Sequence, residues 1–332
     1  MVKFLVDKRT ELISIILALS QCNNYAEEHF NLEIKDDYRM DVVDYFSKFK
    51  SHPSILLAKE LGEKEKGFNY DNPILLALNL EPNMTFKGQL SQNVLDELEN
   101  EDLLSRFLYQ VEDFAKISNF NDFYIKHNPY YQSKIKELSS FFEVKNFAHF
   151  LENYFKEPAT DKFIVNIIPS LTNSNHGIKL EDGVWACVGL PSYDNKTINP
   201  FDDGYTHIIL HEFMHSFVNK NTLKCLNSGA SLNIDKSLFR AVKHYQNQVS
   251  YFNDTVVRAL TIRLREKLYG IDKDKFFEIE KRQGFSFVRE IYNELLVFEK
   301  QNAKWSEYFP NMIKVFSKNK DFLREDKDKI WF

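Results

Sequence analysis

His207-Ile208-Ile209-Leu210-His211-Glu212-Phe213-Met214-His215-Ser216-Phe217 places the pattern His-Glu-x-x-His inside a run that is otherwise apolar and compatible with a helix. Residues four apart on an α-helix advance by about 400°, so His211 and His215 stack on one face with Cβ atoms about 5–6 Å apart. Two imidazoles so placed can share a tetrahedral Zn²⁺ at about 2.0–2.1 Å from each nitrogen. Glu212 lies about 100° further round the helix, where its carboxylate can take a proton from water beside the ion. It is therefore the candidate general base and not a ligand. With nine histidines in 332 residues, the pattern arises by chance about 0.02 times in a chain of this length. Ile208, Ile209, Leu210, Phe213, Met214 and Phe217 suit a helix buried on most sides with one polar stripe facing a cleft. A core helix with merely hydrogen-bonded histidines is the competing reading, and it leaves several buried polar groups to satisfy.

Two histidines do not complete a catalytic zinc site, which takes a third protein ligand and keeps a position open for water. His207 shares the face of His211, but His207 to His215 spans about 12 Å of rise, too far for all three to meet one ion. A supporting role suits His207 better. The metzincin continuation HExxHxxGxxH is excluded, because Val218 and Asn221 stand where its glycine and third histidine belong. The remaining option is a carboxylate from a later helix, and three acids compete. Asp254 lies in the apolar helical stretch from Gln248 to Leu260, while Glu290 and Glu294 sit four apart on a helix expected from Phe285 to Lys300. Long glutamates on such a helix are more often solvated or paired than metal-bound. Arg258, one turn after Asp254, can orient that carboxylate.

Beyond the motif itself, the chain resembles the bacterial DUF4932 family of zincin-like metallopeptidases. The residues that carry the likeness are Val6-Asp7-Lys8-Arg9-Thr10-Glu11-Leu12, Phe68-Asn69-Tyr70-Asp71, Asn128-Pro129-Tyr130-Tyr131, His211 to Asn219, and Tyr245 through Asn253-Asp254 to Val257-Arg258-Ala259. The resemblance implies a zinc metallopeptidase with His211, His215 and Asp254 as metal ligands and Glu212 as base. In that family the acid before Val-Arg-Ala is usually Glu. Asp254 is one methylene shorter and requires its helix to approach the ion more closely. Tyr245 falls in a matching segment and is a candidate donor to the oxyanion of the tetrahedral intermediate. Tyr205, Tyr251 and His244 are its rivals, and for any one tyrosine of 16 ordinary packing is the commoner role.

The rest of the chain reads as a globular, predominantly α-helical α+β protein. Hydrophobic residues make up 43% and aromatic residues 15%, enough for a sizeable core, and a net charge of −5 gives no electrostatic case for nucleic acid. Cys22, Cys187 and Cys225 show no CxxC spacing, which argues against a disulfide framework or a thiolate zinc site. No run of about 18 apolar residues exists to span a bilayer, and the first residues do not read as a signal peptide. The chain as written is expected to be soluble and cytoplasmic, or secreted if a signal has been removed.

Helices are expected over Glu11–Leu19, Asp37–Phe49, Pro53–Leu61, Leu95–Phe114, Asn119–His127, Tyr130–Phe142 and Lys145–Phe155. Strands are expected at Phe163–Ile168, bounded by Pro169, and at Gly183–Leu190, with a polar turn over Leu171–Gly177 between them. Asp202 or Asp203 is the natural N-cap of the His-Glu-x-x-His helix. The resulting organisation is an N-terminal helical region, 1–160, and a zincin-like catalytic region, 161–332, containing the small sheet. The expected function is zinc-dependent peptide hydrolysis with a peptide or protein substrate. The alternatives are a non-catalytic protein that retains a zinc site, and a zinc hydrolase of a non-peptide substrate.

Overall fold

A computed structural model describes residues 2–22, 24–30, 36–64, 67–68, 72–142, 146–158, 162–172, 174–191, 204–240, 242 and 247–318. Among them the chain is mostly α-helical, with one four-stranded sheet. Its contacts divide it into two compact units, Val2–Glu143 with Ile164–Tyr205, and Val144–Phe163 with Thr206–Phe332.

The first unit is built round the helix Lys8–Ser20, whose residues from Thr10 onward are all buried. Its sequence has no polar face, as befits a helix enclosed on every side. Asp7 caps it by accepting from the Arg9 amide at 2.9 Å, and the Asp7 amide donates to Asn166 Oδ1 at 2.9 Å. Asn166 in turn donates to Thr10 Oγ1 at 2.9 Å. These bonds fix the helix start against the strand β2, Phe163–Thr172. The short strand β1, Lys3–Leu5, pairs in parallel with Ile164, Val165 and Asn166 of β2. Strands β3, Asn175–Leu180, and β4, Gly183–Leu190, form an antiparallel hairpin, and the sheet order is β1-β2-β4-β3.

Two expectations need correction, and the strand β1 was not foreseen. Leu171–Gly177 is not a polar turn, because β2 runs through Pro169 to Thr172 and β3 begins at Asn175. Beyond Asn166, β1 no longer covers β2, so a residue without an N–H is tolerated there. Arg39 satisfies that stretch instead, donating to the Leu171 carbonyl at 3.1 Å and to Thr172 Oγ1 at 2.7 Å. Second, Leu95–Phe114 is two helices, Gln92–Glu97 and Glu101–Ile117. Leu98 is extended, and Asn100, at φ 70°, caps the second helix through the Leu103 amide. An Asn cap with local side-chain bonding outweighs the continuing apolar period. For β1, three residues are too few to show a strand period. The helices expected near Asp37, Pro53, Asn119, Tyr130 and Lys145 are present as Asp37–Phe46, Pro53–Gly62, Phe120–Lys126, Asn128–Phe141 and Phe147–Phe155.

Among its described residues, the regular elements of the second unit are helices apart from Phe163, the first residue of β2. Its long helices are Gly204–Asn227, which carries His-Glu-x-x-His, and Gln248–Tyr269, which carries Asp254. Lys273–Arg282 and Val288–Lys300 follow. Among the described residues, no helix is long and apolar enough to cross a membrane. None of the three cysteines forms a disulfide, and all are buried.

Candidate metal centre

The helix Gly204–Asn227 is anchored by the apolar residues around its histidines. Ile209, Leu210, Phe213, Met214, Phe217 and Val218 are buried. Phe213 meets Phe147 and Phe163 at ring separations of 5.7 and 5.0 Å, and Phe217 stacks on Phe155 at 4.5 Å. Trp305 Nε1 donates to the Phe217 carbonyl at 3.2 Å. The helix ends where Gly229, at φ 90°, lets the Ala230 amide turn back to the Cys225 carbonyl at 3.0 Å. The N-cap expected from Asp202 or Asp203 lies outside the described residues.

The second helix is capped by Asn247, whose Oδ1 accepts from the Ser250 amide at 2.9 Å, and stops at Gly270, φ 66°. Two side-chain bonds join the pair. Thr222 Oγ1 donates to Asn253 Oδ1 at 2.6 Å, and Arg265 Nε donates to Thr206 Oγ1 at 3.1 Å. The late residue of one helix bonds the early residue of the other in both cases, so the helices run antiparallel with their register pinned at each end. Asp254, next to Asn253, is thereby delivered to the histidines.

His211, His215 and Asp254 form one group whose ligand atoms all lie within 4.8 Å of one another. His211 Nε2 and His215 Nε2 are 3.3 Å apart, and Asp254 Oδ1 is 3.0 and 3.7 Å from them respectively. A tetrahedral ion with bonds of about 2.0–2.1 Å needs ligand atoms about 3.3 Å apart. The three edges of this triangle bracket that value. The donor set of two imidazoles and a carboxylate is also one that zinc accepts. The residues present therefore fit a metal ion. Asp254 is buried and the two histidines are half-buried.

The protonation pattern agrees. Burial opposes charge on His211, but the charge and hydrogen bond of Asp254, with the charge of Glu212, outweigh it and raise its pKa above the ordinary imidazole value. His215 is pushed down to about 4, by burial first and then by His211. On Asp254 the burial penalty is overcome by Arg258 and the two histidines, which hold the carboxyl well below its usual range. Asp254 thus faces one imidazole whose pKa is raised and one whose pKa is lowered.

Of the acids left open by sequence, Asp254 joins the histidines and the glutamates do not. Glu294 accepts a hydrogen bond from Tyr308 Oη, and burial raises the pKa of Glu290, whose Oε2 has no hydrogen-bond partner among the described residues. Glu212 is half-buried next to His211. His207 stands outside the triangle: its ring packs 6.0 Å from His211 and 6.2 Å from Phe276, and burial drives its pKa well down. Tyr205 and Tyr251 use their hydroxyls on the carbonyls of Gly189 and Gly284, at 3.1 and 2.9 Å. Tyr245 and His244 lie outside the described residues.

The family model described as Domain of unknown function (DUF4932) matches residues 2–315. The chain belongs to the DUF4932 family. The match takes in both helices of the triangle and the first unit as well. Comparisons with curated proteins and with solved structures gave no match.

Three supports of the triangle escaped the sequence reading. Asn219 Oδ1 lies 3.4 Å from His215 Nδ1, four residues on, a spacing that alone announces it. Arg258 does hold Asp254, with Nε 2.6 Å from Oδ2. Its own partners, Glu280 and Gln283, come from a separate helix and its end. The available signal was an acid at Glu280 on the apolar side of Lys273–Arg282, in line with Phe276 and Phe277.

Proposed function

We propose that this chain is a zinc metallopeptidase with a zincin-like catalytic core. The observation that carries the reading is the triangle of His211 Nε2, His215 Nε2 and Asp254 Oδ1, with edges of 3.3, 3.0 and 3.7 Å, on a helix that also bears Glu212. Three protein donors are the ligand count of a catalytic zinc site, whereas a closed structural site takes four.

When bound, zinc supplies the Lewis acidity that polarises a carbonyl and lowers the pKa of water towards about 7. His211 and His215 present their Nε2 lone pairs, and Asp254 presents Oδ1 while Arg258 retains Oδ2. Glu212 accepts the proton of the attacking water on its carboxylate and delivers it to the leaving amine. Tyr245 donates to the oxyanion of the substrate. A peptide or protein is the substrate class.

The test is Glu212→Gln. Cleavage of a peptide library by the zinc-loaded protein should stop in the variant, a loss of at least about a hundredfold for a removed acid–base group, while zinc content stays at the parent level. Undiminished cleavage would refute the role of Glu212. Zinc bound with no cleavage of any peptide by the parent protein points instead to a hydrolase of another substrate or to a binding protein.

A further inference from the structure

We propose that Glu280 is a positioning residue for the metal centre, acting through Arg258 to fix Asp254 as a one-oxygen ligand and to restore the negative charge that Arg258 would otherwise cancel. The inference rests on the reading of His211, His215 and Asp254 as metal ligands.

Arg258 touches Asp254 through Nε, 2.6 Å from Oδ2. An arginine salt-bridged to a ligand carboxylate is a liability for cation binding, since it neutralises the donor and repels the ion. The opposite edge of the guanidinium removes the liability. Arg258 Nη1 lies 2.5 Å from Glu280 Oε2 and 2.9 Å from Gln283 Oε1, and its Cζ sits 3.9 Å from the centroid of the Phe285 ring. Glu280 is only 2% exposed, so its charge is poorly screened by water. Asp254, Arg258 and Glu280 together carry one net negative charge, the same as an unpaired aspartate, yet Asp254 is now held in place. An isolated i,i+4 pair contributes little and leaves both side chains free to rotate. The planar guanidinium clamped by two carboxylates, an amide and a ring has one orientation. With Oδ2 held by Arg258, Oδ1 is the oxygen that faces the imidazoles.

The experiment is a chelator-competition titration of zinc on the full chain and on Glu280→Gln, Arg258→Lys and the double variant, with metal-free thermal midpoints measured alongside. Outer partners of metal ligands typically contribute about 10–100-fold in affinity. Zinc affinity should fall at least about tenfold in Glu280→Gln and in Arg258→Lys, and the double variant should be little weaker than either single one, because both break the same chain of contacts. The visible absorption of the cobalt-substituted protein should also change in Glu280→Gln, since the ligand geometry has changed. A purely structural Glu280 would lower the metal-free midpoint and leave zinc affinity and the cobalt spectrum at parent values, and that result overturns the inference. So do losses that multiply in the double variant. If Glu280→Gln does not fold, Arg258→Lys decides alone, with unaltered zinc affinity as the overturning result. Failure of the parent chain to bind zinc is a separate outcome that removes the metal-centre reading itself and this inference with it.

Discussion

At the scale of single residues, two buried carboxylates, Asp254 and Glu11, have opposite charge logic. Asp254 keeps its charge because Arg258 and two imidazoles surround it. Glu11 is fully buried in the first unit, where it accepts from Tyr38 Oη at 2.6 Å and from the Ser170 amide at 3.4 Å. Burial dominates those bonds and pushes its pKa up from 4.5 to about 7. The folded chain therefore holds a proton that the unfolded chain releases at lower pH. The stability contributed is fully present below the unfolded value and is lost as pH rises through the folded one. Denaturant unfolding of the metal-free protein should show the parent losing about 3 kcal/mol relative to Glu11→Gln between pH 4.5 and 7. Parallel pH dependences for the two proteins would contradict the burial account. The metal-ligand candidates were legible in sequence where spacing defines them, as at His211 and His215. The contact of Glu280 with Arg258 was not legible, because nothing within its own helix reveals that Arg258 arrives from another one.

At the scale of elements, the metal triangle depends on two helices meeting in one register. Thr222–Asn253 and Thr206–Arg265 set that register, while Phe213 and Phe217 anchor the first helix. Phe217 lies against Phe155 at 4.5 Å and gives its carbonyl to Trp305. Phe217→Ala should cost about 3–5 kcal/mol of unfolding free energy in the metal-free protein, read by denaturant titration; a loss below about 1 kcal/mol would show that the aromatic cluster does not anchor the helix. The apolar period located most helices, since a buried face imposes a 3.6-residue repeat on the sequence. The hairpin strand β3 was missed, although His176 and Ile178 alternate with more exposed neighbours. Its few apolar residues resemble loop composition, and only pairing with Trp185 and Val188 in β4 makes the stretch a strand.

At the scale of the whole molecule, membership of the DUF4932 family covers residues 2–315 and therefore both compact units. The mainly helical class with a small sheet was legible because helical periods outnumber β-branched runs along the chain. Strand order was not, because pairing between Lys3–Leu5 and Ile164–Asn166 joins segments that share no local signal. Asp254 is favoured over Glu290 and Glu294 before folding is considered, and the folded chain brings that acid to the histidines. The most direct test of the account is a calorimetric titration of zinc into the chelator-stripped full chain and its variants. One zinc ion per chain should bind, binding should be lost in His211→Ala and His215→Ala, and it should be strongly weakened in Asp254→Ala but unchanged in Glu294→Ala. No zinc uptake by the parent chain, or uptake indifferent to Asp254→Ala, would contradict it.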